Sequence, residues 1–240
     1  MDNEVDLEAL VAATESCRTA RVVHWHARGD PTGGRTDGPS FEGCVDFDRR
    51  VTAGWYTPNA VPTRLLRTLF KLSERSPAEQ RSFRMFVGGR LYRAVDGGAH
   101  WLSDGDQRAP RQRVDPLWLL EQLPLASDAA TALTADAEGP ESVQGGFRTQ
   151  LDLDAILARA TTEGERSAIA ATEEVIAEVW VDGCNRIRKM SYLVVLHGGP
   201  RSGVGTEWVT TELSDFGVSV DVGIPEPDQI VRPAQVRQWY

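Results

Sequence analysis

The chain has 240 residues, 41% of them apolar and 25% charged, which is globular composition with enough length for a real core and excludes wholesale disorder. Its net charge of −9 excludes non-specific binding to nucleic acid or to anionic lipid surfaces, both of which need a positive field. No stretch approaches the roughly 20 apolar residues of a membrane-spanning helix.

The start, MDNEVDLEALVAA, is acidic and helical in pattern, the opposite of a signal peptide's basic start and apolar middle. It implies a cytoplasmic protein as written, or an extracytoplasmic one whose signal has been removed. Behind an Asp6 cap, Leu7, Leu10, Val11 and Thr14 fall at helical spacing. ARVVHWHARG then alternates as a half-buried strand, with Val23, Trp25 and Ala27 on one face and Val22, His24, His26 and Arg28 on the other. The turn residues of DPTGGRTDGPS predict a loop, and strands follow over Phe41–Asp48 and Arg50–Tyr56. Residues 57–82 fit either a helix or a strand through RLLRTLFKL, the helix being preferred.

In FRMFVGGRLYRAVDGGAHWLS, the pairs Gly88-Gly89 and Gly97-Gly98 split short apolar runs into successive hairpins. Asp115-Pro116 predicts the start of a short helix, LWLLEQL. A strand near Ala129–Asp136 and another over Gly146–Leu153 precede a helical stretch, 154–172, broken near Gly164. Strands over Val175–Val181, Ile187–Leu196, Glu207–Ser214 and Val218–Val222 complete the pattern, closing on IPEPDQIV. Tight turns between about ten short strands mean antiparallel pairing. The fold class is α+β: a strongly curved antiparallel sheet with helices on one face.

Residues able to carry chemistry are sparse. His24 and His26 share a strand face about 6–7 Å apart, half of a zinc site, and a solvent-facing pair is the favoured reading. A metal-assisted enzyme built on them is the least favoured function, so no metal and no cofactor are assigned. HGGPRSGVGT at 197–206 lacks the ending of a phosphate-binding loop. Asp46/Asp48 and Asp152/Asp154 read as solvated pairs, and Cys17, Cys44 and Cys184 as inert thiols without a disulfide framework. Trp25, Trp55, Trp101, Trp118, Trp180 and Trp208 sit on strands and short helices, where they either fill a core or line an apolar cavity.

FVGGRLYRAVDGGAHWLS, DPLWLLEQL, GGFRTQLDLDAIL, EVWVDGCNRIRKM and TTELSDFGVSVDVGIPEPDQIV, in this order and spacing over about residues 20–231, resemble the LppX/LprG-type lipoproteins of actinobacteria, in the LolA-like superfamily. The resemblance implies one domain over 1–240, with an N-terminal helix in 1–19 and a tail at 232–240. It implies a half-barrel of about eleven strands whose concave face is covered by helices. It also implies a non-enzymatic carrier of an apolar or acylated ligand, with a membrane or lipoprotein partner. The cavity would be lined by Val23, Trp25, Phe47, Met85, Val87, Tyr92, Trp118 and Leu119. A protein-interaction or sensor module with a filled core, as in RseB-like proteins, is the alternative. Cys17 is expected inside the first helix, which does not suit an acylated lipobox cysteine.

Overall fold

The computed structural model describes residues 5–28, 40–57, 81–95, 98–103, 111–127, 130–133, 143–196 and 205–231. The expected loop at 30–40, the 57–82 segment and the glycine-rich 197–206 fall largely or wholly outside them.

Helix α1 (Leu7–Glu15) starts where the sequence sets it, with the Asp6 carboxylate accepting from the Ala9 amide at 2.9 Å. Leu7, Leu10, Val11 and Thr14 form its buried stripe. The strands are β1 (Thr19–Arg28), β2 (Ser40–Asp46), β3 (Val51–Thr57), β4 (Ser82–Val87), β5 (Arg90–Val95), β6 (His100–Ser103), β7 (Thr131–Ala132), β8 (Gly145–Gln150), β9 (Thr172–Val181), β10 (Ile187–Leu196), β11 (Gly205–Ser214) and β12 (Ile230–Val231). They form one open 12-stranded sheet in the order β12-β6-β5-β4-β3-β2-β1-β11-β10-β9-β8-β7. Two meanders therefore meet where β1 pairs with β11, and every pairing is antiparallel except that of β12 with β6.

Pairing register sorts the strand residues onto two faces, because directly opposed residues point the same way. Ala20, Val22, His24 and His26 share a face with Phe41, Val45, Thr52 and Phe86. This face carries the main core, packed under α1 and α3 (Trp118–Gln122). The other face carries a second, smaller cluster of Val51, Ala53, Met85 and Trp101. Gly43 and Gly54 oppose each other across β2 and β3. A Cβ on Gly54 would lie 2.3 Å from the Glu42 carbonyl oxygen, so a bare backbone is what lets the sheet close up here.

The outer cluster is covered by an element that departs from the sequence pattern. The alternation over Val218–Val222 predicts a strand; the segment runs instead as an irregular strap from the end of β11 across the outer face. Thr19 Oγ1 donates to the Val218 carbonyl at 2.7 Å, Arg49 Nη1 donates to the Val222 carbonyl at 3.0 Å, and Val222 packs on the outer cluster. The strap ends in β12 beside β6 at the far edge of the sheet. Alternating valines look like a strand in sequence, but these residues have no free strand beside them to pair with.

The β9–β10 connection is a side-chain-built turn. Asp182 Oδ1 accepts from the amides of Cys184 (2.9 Å) and Arg186 (3.1 Å), while Oδ2 accepts from Arg186 Nε (2.9 Å). Asn185 takes the left-handed conformation at φ 57°. The register slips between Ile187 and Lys189, and the Ile187 amide is met by Thr14 Oγ1 at 2.8 Å, which ties α1 to β10. Arg186 and Arg188 stack over Phe216 at 4.8 and 5.2 Å, and the β9–β10 hairpin lies inside the sheet, between β8 and β11. Cys184 is exposed at the turn.

Burial alone would push the Asp182 carboxyl up; the Arg186 guanidinium and the two amides outweigh it and hold it below the ordinary aspartate range. A depressed carboxylate stabilises the fold above its ordinary range, and that contribution is lost as pH falls through the depressed value. Asp182→Asn is expected to lower stability by on the order of 2 kcal/mol at neutral pH. In urea titrations, the gap to the parent protein will narrow in acid; a gap independent of pH would contradict the charge-based account.

Candidate functional site

The eight residues expected to line one cavity do not converge. Phe47, Trp118 and Leu119 belong to the core on the helix face. Met85, Val87 and Tyr92 belong to the outer cluster, and Val23 and Trp25 share that outer face through the register Val23↔Glu42↔Trp55↔Phe83 and Trp25↔Ser40. The interior face of β1 is therefore the opposite of the expected one: Val22, His24 and His26 point under the helices. Alternation shows that a strand has two faces, and the bulk of Trp25 suggests the wrong one as interior.

Trp118 and Leu119 are buried in the core on the helix face. Each is 1% exposed, and the Trp118 ring packs at 5.4 Å from that of Tyr192. Leu120 and Leu123 beside them are 0% exposed. These side chains belong to the main hydrophobic cluster above β10.

His24 and His26, expected to face solvent, are both buried, with ring centroids 5.3 Å apart. His24 Nδ1 and Thr211 Oγ1 form a 2.9 Å hydrogen bond, and Thr211 Oγ1 donates to the Pro116 carbonyl at 3.3 Å. The pair thus ties β1 to β11 and to the entry of α3. Among the described residues no group of three or more His, Cys, Asp or Glu side chains is placed to hold a metal ion.

An open cleft of about 460 Å³ lies at the other end of the helix face, inside the size range of ligand pockets. It is formed by the end of β8, α4 (Leu153–Arg159), α5 (Glu163–Ala170) and the start of β9. Leu151 and Ile169 make a buried apolar floor, and Leu153 and Leu157 are half-buried walls. Asp152, Asp154 and Glu173, with Gln150, Ser127 and Thr172, supply the polar lining.

Local chemistry explains the two helices. Asp152 Oδ1 accepts from the Ala155 amide at 2.9 Å as the N-cap of α4, so the Asp152/Asp154 pair opens a helix and is not a strand pair. The break between helices falls at residues 160–162, where Thr162 Oγ1 accepts from the Glu165 amide at 3.1 Å as the cap of α5. Gly164, expected at the break, lies within α5. Leu151, Ile156, Ala160 and Ile169 are buried, leaving the shallow space between the two helices and the sheet. The signal that could have found this site is Asp152 read as a cap, followed by apolar residues at 153, 156 and 157.

A second polar centre holds the neighbouring helices. Arg111, in α2 (Arg111–Val114), reaches Asp115 at 2.8 Å, Glu121 at 2.7 Å and Glu165 at 3.9 Å. Arg50 approaches Glu121 at 4.0 Å and Glu15 at 2.8 Å. Asp115 does not cap α3 as the sequence suggests; its Oδ1 accepts from the Leu117 amide at 3.0 Å, and Leu117 is the N-cap residue. Burial opposes the Arg111 charge, but the facing Asp115 and Glu121 carboxylates outweigh it and raise the Arg111 pKa above the usual arginine range. Glu121 moves the other way in energetic terms: burial pushes its carboxyl up, and Arg111 and Arg50 recover only part of that cost.

No protein-family model matches the chain, and no curated protein matches it. Among solved structures it is similar to the Mycobacterium tuberculosis lipoprotein LppX, at 12% identity and TM-score 0.46, over 90% of this chain and 98% of that one. It is similar to a conserved protein of Thermus thermophilus at 7% identity and TM-score 0.38, over 94% and 98% of the two chains. A Vibrio parahaemolyticus domain described as an outer membrane lipoprotein-sorting protein matches at 8% identity and TM-score 0.34, over 96% and 99%. An LppX lipoprotein and a lipoprotein-sorting domain are thus among its structural neighbours.

Proposed function

We propose that this protein is a non-enzymatic binding protein that carries an apolar, acylated ligand, with the alkyl chain seated in the cleft between α4, α5 and the β8–β9 end of the sheet. The observation that carries this reading is the 460 Å³ opening over the buried leucine and isoleucine floor of Leu151 and Ile169. An alkyl chain in the cleft would cover the half-buried Leu153 and Leu157 above that floor, each methylene it takes out of water contributing about 0.8 kcal/mol. The sequence likeness to lipoprotein carriers supports the same ligand class, and a cell-envelope setting with a membrane or lipoprotein partner belongs to this proposal.

Native mass spectrometry of the protein from its own host is expected to show a bound lipid. Leu157→Trp, which puts a large ring at a half-buried wall of the cleft, is expected to weaken binding of an uncharged alkyl probe at least about tenfold, with a stability cost of no more than about 1–3 kcal/mol because Leu157 also packs on the core. Unchanged affinity in a folded Leu157→Trp variant would overturn the assignment.

A second reading is favoured by the buried core around Trp118, Leu119, Leu120 and Leu123: a protein-interaction or sensor module on the same half-barrel. It predicts no bound lipid and no effect of Leu157→Trp on engagement of the partner.

A further inference from the structure

We infer that the cleft takes one alkyl chain of medium length, so that its ligand is a single-chain amphiphile and not a two-chain lipid. The inference rests on the cleft being the alkyl-chain site proposed above and adds the number and length of the chains it holds.

Hydrogen-bonded backbone bounds the cleft. On one side the chain that follows α3 is zipped to the end of β8. The Asp152 amide donates to the Leu125 carbonyl and the Ser127 amide to the Gln150 carbonyl, each at 2.9 Å. Across the floor the Leu151 amide donates to the Val175 carbonyl at 3.1 Å, which holds the end of β8 on β9. At the far corner Thr172 Oγ1 donates to the Ala168 carbonyl at 2.9 Å and fixes α5 to the start of β9. Widening the cleft for a second chain means breaking these bonds.

The apolar lining is limited in the same way. Its large apolar side chains are Leu151, Leu153, Leu157 and Ile169. Leu153 and Leu157 stand about 6 Å apart along α4, over a floor made by the other two, so the apolar surface is one short strip. The rest of the lining includes Asp152, Asp154 and Glu173, and a second chain laid over these carboxylates would desolvate charge with no apolar contact in return. Volume sets the length. A cleft of about 460 Å³ holds about 15 groups of the size of a water molecule, and a methylene is of similar size. One chain of about 12–14 carbons with the first atoms of its head fills that space, whereas two full-length acyl chains need about twice as much.

The test has two arms on the full chain. The first titrates octyl, decyl, dodecyl, tetradecyl and hexadecyl maltoside calorimetrically, each below its micelle concentration, with the two longest measured by displacement of dodecyl maltoside. Each added methylene is expected to tighten binding about two- to fourfold as far as dodecyl, and the gain is expected to vanish beyond tetradecyl. The second arm compares dodecylphosphocholine with dihexanoylphosphatidylcholine, which place similar numbers of chain carbons in one chain or in two on the same phosphocholine head. The one-chain probe is expected to bind about tenfold or more tighter, with one molecule per protein. In Leu157→Trp the ring occupies part of the cleft, and the maltoside plateau is expected to move to a chain shorter by about two carbons or more. A merely structural role for Leu157 would lower all affinities without moving the plateau.

A gain that continues undiminished to hexadecyl maltoside, equal affinities for the one-chain and two-chain probes, or a plateau unmoved in folded Leu157→Trp would overturn the single-chain inference while leaving the apolar cleft standing. Failure of dodecyl maltoside to bind at all would instead overturn the cleft reading, and the inference with it.

Discussion

Arg111→Ala will destabilise the fold by about 3–5 kcal/mol, because it strips the counter-charge from carboxylates that folding has already taken out of water. Asp115 is 3% exposed as a side chain and Glu121 is 24% exposed, and both face the Arg111 guanidinium at 2.7–2.8 Å. The same side chain lies against the Gly88-Gly89 turn, where a Cβ on Gly89 would sit 2.4 Å from the guanidinium carbon. Losing it therefore uncouples the β4–β5 hairpin from α2, α3 and α5 together.

The pH dependence separates this mechanism from simple loss of packing. Burial already pushes the Glu121 carboxyl up, and without Arg111 less opposes it, so its folded pKa rises further. A raised carboxyl contributes stability below its ordinary range and loses it as pH rises through the raised value. The defect in Arg111→Ala is thus expected to be smaller in mild acid than at neutral pH, as read by urea unfolding at both. A defect of the same size at both would assign the role of Arg111 to its stem packing.

Trp118→Ala is the second large expected effect, about 3–5 kcal/mol, and it decides what this tryptophan is for. As a cavity wall, its removal would enlarge a ligand site and change affinity with a modest cost to the fold. As the 1%-exposed partner of Tyr192, it is core, and its removal leaves a void that surrounding residues fill only in part. Urea unfolding will show the large loss, and affinity of folded Trp118→Ala for dodecyl maltoside will match that of the parent. A stable variant with altered affinity would move the binding site back under α3.

What the sequence made legible was local. Asp6 before Leu7, the Gly88-Gly89 hairpin and the β9–β10 turn all rest on chemistry confined to a few residues, and the structure places each where the pattern put it. Burial of one face rather than the other is not local. Val22, His24 and His26 alternate with Val23 and Trp25 in a strand whose two faces both carry apolar side chains, and only the packing of α1 and α3 on one of them fixes the interior. The strap over 218–222 escapes sequence reading for the same reason, since its partners Thr19 and Arg49 are remote in the chain. The cleft is half visible: the apolar positions of α4 are readable, but Asp152 reads as one of a solvated pair while its carboxylate fixes where the helix begins.

The most direct test of the account is to map dodecyl maltoside onto the protein by backbone amide chemical shifts during a titration below its micelle concentration. The expected result is saturable shifts clustered at residues 150–157 and 169–173, with the amides of 118–123 unmoved. Shifts centred on Trp118–Leu123, or none at either place, would contradict a ligand site between α4, α5 and the sheet.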